Sequence, residues 1–170
     1  MGIAVVAPEG RDGPADHLKH GSAAWNSFRR DHTEFINLNF VRLSGAALEH
    51  ADLRKVFFLE SDLRRANLMS ARLDAAILRK ANVAGSNLRH AVLDGADLCR
   101  ADLSGADLRD ASLAGAFLNR ADLRGADLST ARGLTAAQIG EAIGDAQTKL
   151  PAGIPHPARW LICNGAGGTI

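Results

Sequence analysis

A leucine, or a residue standing in for one, recurs at every fifth position from Leu38 to Leu128 without a gap. Of these 19 positions 17 are Leu, and Phe58 and Val83 fill the others. Two residues before each lies a second column: 14 Ala, then Ser61 and Ser86, with Ile36, Val41 and Val56 at its start. Asp or Asn stands between the columns 11 times, as at Asp52, Asn67 and Asp127. No regular helix or strand has this period, because a helix repeats its apolar side every ~3.6 residues and a strand every ~2. On a long helix a spacing of five would carry the Leu side chains around the axis and leave no dry side. Paired inward residues with one outward residue between them suit a short extended piece that ends in a turn. Four such pieces close a square coil of about twenty residues, and stacked coils pair as parallel strands about 4.8 Å apart.

Side-chain size agrees with the square. Leu48, Leu53, Phe58, Leu68, Leu88, Leu108 and Leu128 fall in the column that fills the centre. The preceding column lies near a corner, where Ala or Ser fits. One coil cannot offset the entropy of ordering its own chain, so an uninterrupted stack is required. In rows of twenty, Gly45, Gly85, Gly105 and Gly125 share one turn position, and Gly95 and Gly115 share another. Glycines in register predict positive φ at those corners.

The flanks read differently. Residues 1–14, with Gly2, Pro8, Gly10, Gly13 and Pro14, form a loose leader. Helical spacing from about Asp16 to Arg30 places Leu18, Ser22, Trp25 and Phe28 on one side, with Asp16 as a cap. Asp31 to Phe35 keeps the phase, with Thr33 at the Leu position, as a degraded first turn. After Thr130 the phase breaks. Thr135-Ala-Ala-Gln138 has capping-box spacing and predicts a helix over about 136–143, stopped at Gly144 and covering the last coil. Pro151, Pro155 and Pro157 make the next segment extended, Trp160 to Ile162 packs back, and Asn164 to Ile170 reads as disordered. Three segments follow: a leader and capping helix over 1–35, the repeat array over 36–130, and a capping helix with a tail over 131–170.

Composition narrows the function classes. The 170 residues fit one domain, and 20 basic against 19 acidic side chains give a net charge of +1. That balance favours neither a polyanion binder nor a polyanion imitator. Cys99 and Cys163 make no disulfide framework, which fits reduced thiols and a cytoplasmic setting. Met1 to Pro8 lacks the basic start and apolar length of a signal peptide, and Val6 is unsuited to myristoylation at Gly2. No apolar run is long enough to span a bilayer.

No catalytic, cofactor or metal site emerges. His50 and His90 share a column but lie two coils apart, about 10 Å, too far for one zinc ion. Cys99 is outward, with no His in its column to activate it. The Asp and Asn ladders suit bonding to turn backbone better than acid–base work. A Leu and Ala core leaves no evident pocket. One feature breaks the pattern: Phe57, Ile77 and Phe117 occupy the outward position of a single side, with Phe40 and Leu59 nearby. Arg79, Lys80, Arg100 and Arg120 lie on the same side. An apolar cluster of this kind implies contact, either with a partner or second copy of the chain, or with the chain's own Trp160, Leu161 and Ile162.

The phrase Ala-(Asp/Asn)-Leu-x-x, clearest at Ala96-Asp97-Leu98, Ala101-Asp102-Leu103, Ala106-Asp107-Leu108 and Ala121-Asp122-Leu123, resembles the pentapeptide repeat family. The flanks Trp25-Asn26, Gly144-Asp145, Thr148 to Pro151 and Arg159-Trp160 are similar to those of its bacterial members. The resemblance implies an all-β solenoid: a right-handed quadrilateral parallel β-helix of about five coils, with a short helix at each end. Some relatives imitate DNA and bind DNA gyrase, in connection with quinolone resistance. That subgroup is as a rule strongly acidic, whereas residues 36–130 carry 13 Lys or Arg and 12 Asp or Glu. The array would also span only about 23 Å, or about seven base pairs, unless a homodimer doubled it. The first expectation is therefore a non-catalytic protein-interaction scaffold without cofactor, membrane span or direct nucleic-acid binding. A gyrase-binding DNA imitator is the alternative.

Overall fold

A computed structural model describes residues 13–162, with side chains through Leu161. The readings of the leader over 1–12, of Asn164 to Ile170 and of Cys163 lie outside the described residues. The array is a stack in which each residue pairs with the one twenty positions later. The two-residue strands β1 (Ile36–Asn37) and β2 (Val56–Phe57) pair in parallel, Ile36 with Val56. Single-residue parallel bridges then repeat the offset from Arg42↔Asp62 to Ser112↔Arg132. The bonds alternate in direction: the Leu68 N–H donates to the Asn87 carbonyl at 2.8 Å, and the Asn87 N–H donates to the Ala66 carbonyl at 3.0 Å. Each phrase closes with a turn, as where the Ala71 N–H donates to the Leu68 carbonyl at 3.0 Å.

The two inward columns form one continuous core. Leu48, Leu53, Phe58, Leu68, Leu88, Leu108 and Leu128 are all buried, as are Ala51, Ala66 and Ala126. Corner residues two places after each central residue from Leu38 to Leu123 have positive φ, including Gly85 at 64° and Gly115 at 66°. The corners are not reserved for glycine, however. Phe40, Lys55, Ala75, Arg100 and seven other side-chain-bearing residues beyond these adopt the same geometry, along with His50 at 59°.

The amino-terminal cap differs from the single helix expected over Asp16 to Arg30. Two helices form, α1 (Pro14–Lys19) and α2 (Ser22–Asp31), separated at Gly21, whose φ of 90° ends the run. Asp16 lies inside α1, where its carboxylate accepts the Gly13 N–H at 3.1 Å. Leu18 and Trp25 are buried. Phe28 sits between two imidazoles, with ring centroids 4.7 Å from His17 and 4.1 Å from His32. Helix α2 closes the first coil by side chain: Trp25 Nε1 donates to the Asp52 carbonyl at 2.7 Å, and Asn26 bonds both His50 and Asp52. Buried Arg29 donates to the carbonyls of His32, Glu34 and Arg54.

At the other end α3 (Ala136–Glu141) has the expected capping box, Thr135 with Gln138. It stops two residues short of the expected 143, because Ile143 returns to the ladder opposite Asp122. Lys149 does the same opposite Asp127, so pairing continues beyond Thr130 although the phrase has ended. The tail carries a fourth helix, α4 (Ala158–Ile162), so each end has two helices rather than one. Trp160 is buried against Gly144, where a Cβ would lie 2.5 Å from its ring, and Arg159 donates to the carbonyls of Gly140 and Ala142.

Candidate interaction surface

The offset of twenty sorts the outward residues onto four sides. One side carries Asn37, Phe57, Ile77, Asp97 and Phe117. The next carries Arg42, Asp62, Asn82, Asp102 and Asp122; the third Ala47, Asn67, Asn87, Asp107 and Asp127; the fourth Asp52, Arg72, Val92, Ser112 and Arg132. Where Asp or Asn occupies this place, its side-chain oxygen accepts the backbone N–H two residues on, as at Asp62–Arg64 (3.1 Å), Asn82–Ala84 (3.1 Å), Asp102–Ser104 (2.9 Å) and Asp127–Ser129 (3.1 Å). These ladders thus pin the turns.

Many of the same carboxylates are also neutralised. In the phrase Asp-Leu-Arg the guanidinium folds back on the carboxylate two residues earlier. Arg64 donates to both oxygens of Asp62 at 2.9 and 2.7 Å, and Arg109 to both of Asp107 at 2.8 and 2.5 Å. Arg54–Asp52 and Arg124–Asp122 repeat the fork. The Arg64 bond holds the Asp62 carboxyl at about 2. At Asp127 burial pushes the pKa up, but hydrogen bonds from Ser129 and Lys149 outweigh it and hold the group at about 2.

The first side lacks both devices along much of its length. Phe57, Ile77 and Phe117 put apolar carbon where the second and third sides mostly place carboxylates and amides. Phe57 and Ile77 are half-buried, Phe117 is 56% exposed and Phe40, at the adjoining corner, 65%. Leu59 is half-buried beside Phe40, whose backbone N–H it accepts at 2.9 Å. Phe35 stacks on Phe57 with centroids 5.2 Å apart, extending the column toward the amino-terminal end. Phe35 entered the sequence reading only as part of a degraded turn; by phase it is a corner residue one rung before Lys55, and the phase does not encode the turn of its ring onto Phe57. A hollow of about 330 Å³ opens between Phe117 and α3, lined also by Gly115, Ala137, Gln138 and Glu141. It depends on where α3 sits, which no spacing in the array encodes.

The described tail does not lie across this column. Trp160 packs at the carboxy-terminal end, bonding the Ala142 carbonyl, and Leu161 is 54% exposed. The reason is Gly144, whose missing side chain makes a seat for the indole. Of the cations on the apolar side, Arg79 faces Asp97 at 3.5 Å and Lys80 pairs with Glu60 at 2.8 Å. Arg100 and Arg120 have no carboxylate within ion-pair distance among the described residues.

The remaining candidates have ordinary surroundings. His50 and His90 are exposed, and His90 lies 3.9 Å from Asp110. Cys99 Sγ lies 3.8 Å from Asn119 Oδ1, and burial together with Asp97 pushes its thiol pKa up. No His, Cys, Asp and Glu group able to hold a metal occurs among the described residues, and no described helix is long and apolar enough to cross a membrane.

The family model described as "Pentapeptide repeats" matches eight copies, over residues 34–68, 42–79, 66–105 and 101–132. No curated protein matches the chain. Among solved structures, the pentapeptide repeat protein Rfr23 from the cyanobacterium Cyanothece 51142 is 26% identical, with a TM-score of 0.52 over 74% of this chain and 97% of that one. HetL, a pentapeptide repeat protein involved in heterocyst differentiation regulation in a Nostoc cyanobacterium, is 36% identical over 55% of this chain and 44% of its own, with a TM-score of 0.37. QnrB1, a plasmid-mediated fluoroquinolone resistance protein, is 14% identical over 73% of each chain, with a TM-score of 0.35.

Proposed function

This chain belongs to the pentapeptide repeat family, and from that premise we propose that it is a non-catalytic β-helical scaffold presenting its Phe57–Ile77–Phe117 side to a protein partner. The observation that carries this reading is the exposure of Phe117 and Phe40 on the same side of an otherwise polar solenoid. Apolar side chains gathered on one side of a stable stack, with aromatic rings among them, are the usual anchors of a protein contact. The scaffold in this reading is a right-handed coil of about five turns, divided into 1–35, 36–130 and 131–170, and it works in the cytoplasm without a cofactor. Arg79, Arg100 and Arg120 frame the contact, with Leu59 at its edge.

Imitation of duplex DNA toward a topoisomerase is the competing idea. It needs a run of carboxylates of one sign. The Arg–Asp forks at 52–54, 62–64, 107–109 and 122–124 work against it by pairing those charges off. Supercoiling by purified gyrase in micromolar protein, with and without a quinolone, is expected to be unchanged.

Affinity capture from a cell extract, comparing the native chain with Phe57→Asp, tests the main reading. Captured proteins should be lost with the variant. Equal capture by both would remove this side as the contact surface.

A further inference from the structure

We propose, resting on that reading, that the partner segment is an acidic amphipathic helix, laid along the solenoid axis with its apolar side on Phe57, Ile77 and Phe117 and its carboxylates against Arg100 and Arg120. Three features of this side point to such an occupant. The first is spacing. Successive rungs are about 4.8 Å apart, so Ile77 lies one rung from Phe57 and Phe117 two rungs further on. A helix repeats its apolar side chains every ~5.4 Å along its axis, so about three turns match the length of the column.

Charge is the second. The apolar column is flanked at one corner by Arg79, Lys80, Arg100 and Arg120. Arg79 and Lys80 are already engaged with Asp97 and Glu60. Asp97, the one carboxylate within the column's own row, is further occupied by the Cys99 N–H at 3.0 Å. That leaves Arg100 and Arg120, on adjacent rungs and exposed, as cations that a partner's carboxylates would complete. Charges in a rim set orientation and reject the wrong partner more than they add affinity.

Shape is the third. The opposite corner carries Lys55 at the Phe57 rung and then Ala75, Gly95 and Gly115, so beyond that first rung no long side chain stands at the corner itself. At the end of the column the hollow between Phe117 and α3, about 330 Å³, is large enough for one bulky apolar side chain of the segment. A nucleic acid fits less well, because phosphates find no counterpart in the three apolar side chains and meet Glu60, Asp97 and Glu141 among the cations.

The test uses the full chain and two labelled helical peptides of about fourteen residues, read by fluorescence anisotropy at low salt. Both carry Leu at i, i+3, i+7 and i+10; one has Glu and the other Lys at the flanking positions. The Glu peptide should bind at least about tenfold more tightly than the Lys peptide. Arg100→Glu with Arg120→Glu should reverse that order, and Phe117→Ala should weaken both peptides. The arginines have no carboxylate partner to lose, and circular dichroism would verify that the variants keep the native backbone. Binding of neither peptide, equal binding of both, or a preference that survives the double charge reversal would overturn the proposal. So would a duplex oligonucleotide that displaces the Glu peptide and binds the Phe117→Ala variant undiminished. If cell-extract partners are lost with Phe57→Asp but kept by the Arg100→Glu, Arg120→Glu variant, the side remains the contact and only its acidic occupant is refuted.

Discussion

Two serines in the alanine column show how closely the corners are matched to their contents. Ser61 Oγ donates to the Leu38 carbonyl at 2.9 Å and accepts the Val41 N–H at 3.2 Å. Ser86 Oγ, equally buried, has no partner among the described residues. A buried unsatisfied hydroxyl costs about 1–3 kcal/mol, whereas a satisfied one contributes about 1. Ser86→Ala should therefore raise stability by about 1 kcal/mol and Ser61→Ala lower it by a similar amount, measured by urea unfolding. Both serines read alike in the sequence, because only the neighbouring coil decides whether the hydroxyl finds an acceptor. The corners teach the same lesson: glycine columns announced positive φ, but Ala75 adopts it too, at 53°. The turn bonds and the ladder on either side hold Ala75 there despite its Cβ. The carboxylates add a pH dependence. Asp62 and Asp127 have folded pKa values of about 2 against 3.8 when unperturbed. A depressed folded value contributes stability that is present above 3.8 and lost as the pH falls through about 2. The urea midpoint should accordingly hold steady down to about pH 4 and then drop towards pH 2.

At the scale of the element, the array was legible and its closure was legible only in part. The period of five gave the inward columns, the twenty-residue offset and the core down to Leu128, since a phrase without gaps leaves no freedom in register. The caps depend on longer contacts. Gly21 splits the expected helix, and the ladder reaches Ile143 and Lys149 through a segment with no phrase at all. The capping box at Thr135 was visible, but its second role was not. Gln138 Nε2 donates to the carbonyls of Leu113 and Ala116 at 3.1 and 2.9 Å, supplying the Ala116 carbonyl with the donor that the next coil would otherwise provide. Gln138→Ala should cost about 1–3 kcal/mol and expose the carboxy-terminal coils to faster amide exchange. In mid-array, Leu88→Ala should cost about 2–5 kcal/mol in the same unfolding measurement, because backbone ladders above and below prevent collapse into the cavity.

For the whole molecule, the solenoid separates the residues that hold the fold from those that the proposed recognition would use. Inward side chains are nearly uniform, so the four sides differ only in what they present outward. Two present mainly carboxylates and amides tied into turns, one presents the mixed row Asp52, Arg72, Val92, Ser112 and Arg132, and one presents Phe57, Ile77 and Phe117. The sequence located that side by its phase, while the stacking of Phe35, the hollow under α3 and the unpaired state of Arg100 and Arg120 required the packed ends. The most direct measurement is partner affinity for four variants that place one Glu on each side of the same coil: Ile77→Glu, Asn82→Glu, Asn87→Glu and Val92→Glu. Ile77→Glu alone should weaken binding, by at least about tenfold, since a charge buried in an apolar contact is costly. An unchanged affinity for Ile77→Glu, or an equal loss for Asn87→Glu on the opposite side, would contradict the account.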